Sequence, residues 1–236
     1  MTSIMRWAAI AATALLSAAS AHAAEKRFGL TSFAAIEVGA DVDVEVVTRA
    51  PVSAVATGSQ DALDRLTVEN RDGRLVIGMR QFAGDDRRGS SPGAVLLRIN
   101  AAMLQSATLV GAGSLHIDGM KGQRVALGLR GPGKLSVDAV DTDRLAVAMI
   151  GNGTLTLAGK AKQAQMTLSG SGVVDAGKLA VDGLISDSEG TGDHIFNAVK
   201  SAAITARGSG KTVVLGRPVC TVRNVGTGTV ACGRAR

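Results

Sequence analysis

Apolar and polar residues alternate with a period of two over much of the chain, and Gly-x-Gly triplets interrupt the alternation at regular intervals. The triplets are Gly111-Ala112-Gly113, Gly131-Pro132-Gly133, Gly151-Asn152-Gly153, Gly170-Ser171-Gly172, Gly190-Thr191-Gly192, Gly208-Ser209-Gly210 and Gly226-Thr227-Gly228. Their first glycines are 20, 20, 19, 20, 18 and 18 residues apart. Four and two residues before them stand Ala107 and Leu109, Leu127 and Leu129, Val147 and Met149, Met166 and Leu168, and Ile204 and Ala206. Four and six residues after them stand Leu115 and Ile117, Leu135 and Val137, Leu155 and Leu157, and Val174 and Ala176. Polar residues such as His116, Ser136, Thr156 and Asp175 fall between. Alternation of this kind gives a strand one inner and one wet face.

Small residues recur eight positions after the first glycine, at Gly119, Ala139, Gly159, Ala198 and Gly216. Each repeat therefore reads strand, Gly-x-Gly corner, strand, small-residue corner. It is too short to hold a strand–helix–strand crossover. The pattern predicts an all-β fold, a parallel β-helix (β-solenoid) of about 20 residues per rung. Each strand would pair with its equivalent one rung away, about 4.8 Å distant, and no rung would be stable alone. The rung around Gly190 breaks the pattern, because Ser186, Ser188 and His194 take positions that are apolar elsewhere. A register shift that turns Ile195 inward is the favoured expectation there, and a bulge is the alternative.

Residues 24–100 are strand-like without a visible repeat and predict an N-terminal β-rich cap, with 101–236 as the repeat solenoid. Ile36 to Val38 and Val42 to Val46 alternate well, and Leu66 to Ile77 reads as a hairpin turning at 71–74. Ala62 to Arg65 suits a short helical turn, and 83–93 a mobile loop. Met1 to Ala23 has the order of a secretory signal peptide: a basic start, an apolar run from Trp7 to Ala19, and Ala21-His22-Ala23 before the cut. Cleavage would leave Ala24 first, with no transmembrane segment remaining, and place the protein in the periplasm or outside the cell.

Composition narrows the chemistry. The chain has one Trp, no Tyr and four Phe, and the Trp is Trp7 in the leader. The formal net charge is +6, with Lys and Arg scattered and not clustered. Nucleic-acid binding wants a basic stripe with stacking aromatics, so no nucleic-acid partner is expected. Arg130, Lys134, Arg207 and Lys211 on otherwise small polar faces suit an envelope protein or an anionic glycan.

With these residues in view, the chain resembles the putative auto-transporter adhesin head GIN domain family, a β-helical domain of unknown function. The likeness rests on Phe33 to Ala40 with the Val42 to Val46 strand, on Asp72-Gly73-Arg74-Leu75, on the Gly-Ser-Gly-like repeats through Gly208-Ser209-Gly210, and on Gly216-x-Pro218. It implies a β-helix over nearly the whole mature chain and an adhesion-like role.

The candidate sites are few. Cys220 and Cys232 lie six residues either side of Gly226 on inward positions of one rung. In an oxidising compartment they would form a disulfide closing the last turn, with two buried free thiols as the alternative. Asp118 and Asp138 share an outward position on successive rungs, where they would hold Ca²⁺ or serve as solvated acids; Asp187, Glu189 and Asp193 pose the same choice. His116, Asp118, Ser136 and Asp138 share one outward face, which would permit proton transfer. No nucleophile–base–orienter motif accompanies them. The expectation is therefore a non-catalytic binding or structural module at the cell envelope, with no catalytic residue, no cofactor and no resident metal. A polysaccharide-active β-helix enzyme is the alternative.

Overall fold

The computed structural model describes residues 24–80 and 94–234, and the predicted signal peptide and the whole of the predicted 83–93 loop lie outside them. Strands β1 (Ala24–Phe28), β2 (Ala35–Val38), β3 (Asp43–Thr48) and β4 (Ser53–Gly58) precede one short helix, α1 (Gln60–Arg65). Then come β5 (Leu66–Arg71), β6 (Arg74–Met79), β7 (Leu96–Ala101), β8 (Ser106–Val110) and β9 (Ser114–Ile117). The long strands are β10 (Met120–Arg130), β11 (Lys134–Gly151), β12 (Thr154–Gly170), β13 (Val173–Gly190) and β14 (His194–Gly208), and β15 (Lys211–Gly216), β16 (Val219–Val225) and β17 (Thr229–Arg234) complete the series. All belong to one sheet that coils upon itself as a β-solenoid, the seven Gly-x-Gly corners delimiting about six turns.

Register explains the core. Leu115, Leu135, Leu155 and Val174 are directly paired from turn to turn, as are Leu109, Leu129, Met149 and Leu168. Each apolar side chain thus lies on its equivalent above and below, and the column is buried throughout. Branched and unbranched aliphatic residues stack in this way without aromatic bulk, which accounts for the scarcity of aromatics.

The corners need glycine for two reasons. The first glycine of every triplet has a positive φ, +121° at Gly151, where an L side chain is strained. The turns also lie too close for a side chain: a Cβ on Gly153 would stand 2.5 Å from the Gly133 carbonyl oxygen.

Each turn has three sides, where the sequence pattern predicts two. In β11 the buried positions run Leu135, Val137, Val140, Thr142, Leu145, Val147, Met149. The step of two becomes three at 137–140 and again at 142–145, and each such slip is a bend. Residues before the Gly-x-Gly corner form side A, those after it side B, and the segment around 140–142 a short side C. The small residue eight positions after the first glycine marks the bend between B and C. The third bend has no recurring glycine, Gly183 being the one glycine in register with Arg144 and Gln163, so composition gave no repeating signal for it.

The coil also reaches into the N-terminal region. β2 and β3 pair in parallel with β8 and β9 on one side and with β6 and β7 on the other. Two further rungs therefore lie within residues 35–101, stacked out of sequence order. Their corners lack the Gly-x-Gly triplet, so no repeat is visible there. Antiparallel strands complete this end: β5 on β6, and β4 between β7 and β1. Antiparallel addition covers an edge that would otherwise present unpaired backbone.

The opposite end is barer. β16 is exposed along its whole length, with Val219 at 77 %. Cys220 and Cys232 hold the inward register of this last turn and are joined by a disulfide, Cα–Cα 6.3 Å. Cys220 is nevertheless exposed, because no further turn lies over it.

Around Gly190 the regular register persists, and this corrects the expected shift. His194 pairs with Val174 and points inward at 6 % exposure, whereas Ile195 faces outward at 41 %. The reason lies two residues on. His194, Phe196 and Ala198 share a face, and Phe196 is almost wholly buried. A one-residue slip would expose that ring, and a buried aromatic outweighs an Ile. The irregularities of pairing fall instead between Asp175 and Gly183.

Candidate functional site: the outer faces of the coil

Side B brings together three of the residues singled out by sequence. His116 Nδ1 lies 2.9 Å from Ser136 Oγ, and His116 Nε2 lies 3.3 Å from Asp138 Oδ2. Register produces this, since Ser136 is the direct pairing partner of His116. The contact sits in open solvent, with the His116 and Asp138 side chains 48 % and 62 % exposed. Exposure leaves an imidazole–hydroxyl pair in high dielectric, where neither the hydroxyl nor a developing anion is stabilised. Asp118 does not join them. Its Oδ1 accepts from the Thr48 amide and hydroxyl, each at 2.8 Å. Asp118 thus ties the β9 end to β3.

Two of the other predicted acids are likewise bound to the chain. Asp187 accepts from Arg207 at 2.7 Å, and Asp193 accepts from the Lys211 amide at 2.9 Å. Asp41 accepts from the Ala112 amide at 2.7 Å and so closes the first Gly-x-Gly corner. Among the described residues no three His, Cys, Asp or Glu are grouped to hold a metal ion. Along side C and its bend, charges of opposite sign stack: Lys121–Asp141–Lys160, Lys162–Asp143 and Lys200–Asp182. The Asp143 carboxylate, by hydrogen bond and charge, raises the pKa of Lys162.

The polar rung buries its groups. Ser186, Ser188, His194 and Thr212 all face the interior, and the last three line a cavity of about 10 Å³, close to the space one water molecule needs. Ser186 Oγ and His194 Nδ1 find no hydrogen-bond partner among the described residues. Burial lowers the pKa of His194, against the opposing charge and backbone hydrogen bond of Asp193. The neutral imidazole is thereby favoured in the folded state.

Side A holds the feature that sequence reading missed. A trough of about 520 Å³ runs along the coil axis over four successive turns and ends on a fifth at Ile185. Its floor is Ser106, Ala126 and Ala146, paired in register, and Gln165 and Ile185 close one end. Gln105, Arg124, Arg144 and Gln163 line one rim. Arg124 and Arg144 are direct pairing partners, as are Arg144 and Gln163. Neither arginine makes an ion pair with any described residue. The signal was available: both arginines stand seven residues before the first glycine of a triplet, and only an alignment on the outward positions displays them.

Solved structures share this fold. An adhesin-titled structure from Bacteroides fragilis matches with a TM-score of 0.78 at 20 % identity, over 90 % of this chain and 97 % of that one. A structure from Parabacteroides distasonis, titled a putative lipid binding protein, matches with a TM-score of 0.72 at 17 % identity, over 91 % and 98 %. A putative adhesin from Parabacteroides merdae gives 0.70 at 18 % identity, over 91 % and 97 %. No curated protein matches the sequence. The family model described as putative auto-transporter adhesin, head GIN domain, spans residues 32–218, which takes in β2 through Pro218 and every turn but the last, and the chain belongs to that family.

Proposed function

We propose that the chain is an exported, non-catalytic β-solenoid that acts as a binding module at the cell envelope. The observation that carries the reading is the side A trough: an open, cationic, elongated surface built on rigid stacked strands. Rigid scaffolds of this kind lose little entropy when a partner lies along them. Family membership supports an adhesion-like role. Export is supported by the leader pattern of residues 1–23. Among the described residues no helix is long and apolar enough to cross a membrane.

Two measurements test this. N-terminal sequencing of the exported chain should return Ala24 as the first residue. Purified chain should sediment with envelope preparations and release no product from acidic polysaccharides. A chain retained in the cytoplasm, or one that leaves envelope material untouched, contradicts the proposal.

A further inference from the structure

The side A trough carries charge of one sign. The outer positions of Ser106–Val110, 124–130, 144–150 and 163–169 include Arg124, Arg130 and Arg144 and no carboxylate, and the carboxylates of side A begin only on the turn that closes the trough at Ile185, where Asp187 is paired with Arg207. Elsewhere on the coil, stacked charges alternate in sign and neutralise one another, as in Lys121–Asp141–Lys160. Arg124 and Arg144 break that rule. They are directly paired in register, so two guanidinium groups project from adjacent strands about 4.8 Å apart. Like charges on paired positions destabilise a sheet. An anion placed between them would reverse the sign of that interaction, and a guanidinium binds a carboxylate through two parallel hydrogen bonds.

The geometry selects among anions. Arg124, Arg144 and Gln163 form a line, one per turn, with Gln105 beside its end, and they do not converge on a point as a pocket for a single phosphate or headgroup would. The occupant must therefore be extended and carry hydrogen-bonding groups at every repeat. An acidic peptide in extended form presents same-side groups only every second residue, about 6.6–6.8 Å apart, which is out of step with a row spaced by the rungs. A sugar chain bears hydroxyls on every unit, and in a polyuronate a carboxylate as well. The amides of Gln105 and Gln163 both donate and accept, which suits hydroxyls. No aromatic residue lines the trough, so a neutral glycan would have nothing to stack on, and charge must supply the recognition.

We infer that the trough binds an acidic glycan chain laid along the coil axis, with Arg124 and Arg144 clamping carboxylates and Gln105 and Gln163 extending the row to hydroxyls. This rests on the binding-module reading and specifies its ligand class and site.

The test uses oligomeric polygalacturonate as the acidic probe and dextran as the neutral one, with binding followed by calorimetry at low and moderate salt. Wild-type chain should bind polygalacturonate, more weakly as salt screens the charges, and should ignore dextran. The double variant Arg124→Gln/Arg144→Gln should bind at least tenfold more weakly while melting no lower than wild type, because a like-charge pair has been removed. A control, Lys134→Gln/Lys211→Gln, makes the same change in net charge on side B and should bind as wild type does. The inference is overturned if wild type shows no heat with polygalacturonate, if the arginine variant binds within twofold of wild type, if the lysine variant loses as much, or if phosphatidylglycerol vesicles bind in place of the glycan. Sedimentation with envelope material, run on the same proteins, separates the two readings. Envelope binding that survives loss of both arginines removes the trough inference and leaves the module, whereas wild type that never binds envelope removes the module.

Discussion

Gly151→Ala is the most direct examination of why the coil turns where it does. Gly151 has φ +121°, and an added Cβ would stand 3.0 Å from both the nitrogen and the carbonyl oxygen of Gly131 on the neighbouring turn. Placing an L residue in a left-handed conformation costs roughly 1–2 kcal/mol. Relieving the crowding means separating turns that the corner holds together. The bonds at risk are Gly131 N–H to Ile150 O at 2.9 Å and the shared Gly151 carbonyl, which accepts from Ser171 and Gly172 at 3.1 and 3.0 Å. Losing about two of them adds roughly 2 kcal/mol at about 1 kcal/mol each. The sum is about 3–4 kcal/mol, or a factor of roughly 10²–10³ in the local opening equilibrium. Hydrogen exchange reads this directly, since turns of a solenoid open by units. Amides of residues 145–175 should exchange faster by that factor, while those of β2 and β3 change far less. Gly29→Ala is the comparison, because no atom lies within 4 Å of its Cβ and its φ is not positive. If Gly151→Ala exchanges like wild type, or no faster than Gly29→Ala, the account of the corner given above is wrong.

Other expectations follow from the same structure. Cys220→Ser/Cys232→Ser should cost about 2–3 kcal/mol for a bridge closing roughly a dozen residues, with faster exchange confined to β16 and β17; loss spread evenly over the coil would contradict a clasp acting on the last turn. Because burial holds the pKa of His194 below its ordinary 6.5, the unfolded chain takes up its proton at higher pH than the folded chain does. The contribution is therefore present in full above about pH 6.5 and is lost as pH falls from there through the lower folded value. His194→Leu, which fits the column of Val174 and Leu155, should flatten that part of the stability–pH curve; an unchanged slope would show that another group titrates. Leu135→Ala, at the centre of a fully buried column, should cost about 2–5 kcal/mol in denaturant unfolding, and a cost under 1 kcal/mol would mean the column is not packed as described.

The sequence shows the repeat because the corner chemistry is strict. Only glycine meets both the positive φ and the close approach, so the triplets mark each turn and the flanking aliphatic residues declare which face is inside. The bend at 138–139 is marked by a recurring small residue, whereas the bend at 143–144 has no recurring residue type, and its slip from two to three is visible only as a change in burial. The N-terminal rungs were hidden for a related reason: their corner lacks the triplet, and their neighbours in space come from distant segments. His194 was misjudged because the pattern was read one residue at a time, whereas Phe196 two positions later fixes the face. Of the outward residues, those that looked chemical, His116, Ser136 and Asp138, do meet in space but in open water. Arg124 and Arg144 fall among the scattered Lys and Arg of the sequence, and only register sets one upon the other.

The order of the turns makes the two ends of the coil unequal under truncation. From β10 onward each turn lies on the one just before it in sequence, so successive units are separated by about twenty residues. Deleting turns from the C-terminal side would shorten the coil and leave a smaller version of the same edge. The other end is not modular. Its second rung, β2 with β3, is clasped between strands encoded later on both sides, and contacts such as Thr48 to Asp118 span 70 residues. Removing residues before Val52 would take a layer from the middle and strand the layer outside it. The N-terminal rung is thus the keystone of that end, and permutations or fusions that spare it should be tolerated where those that cut it are not.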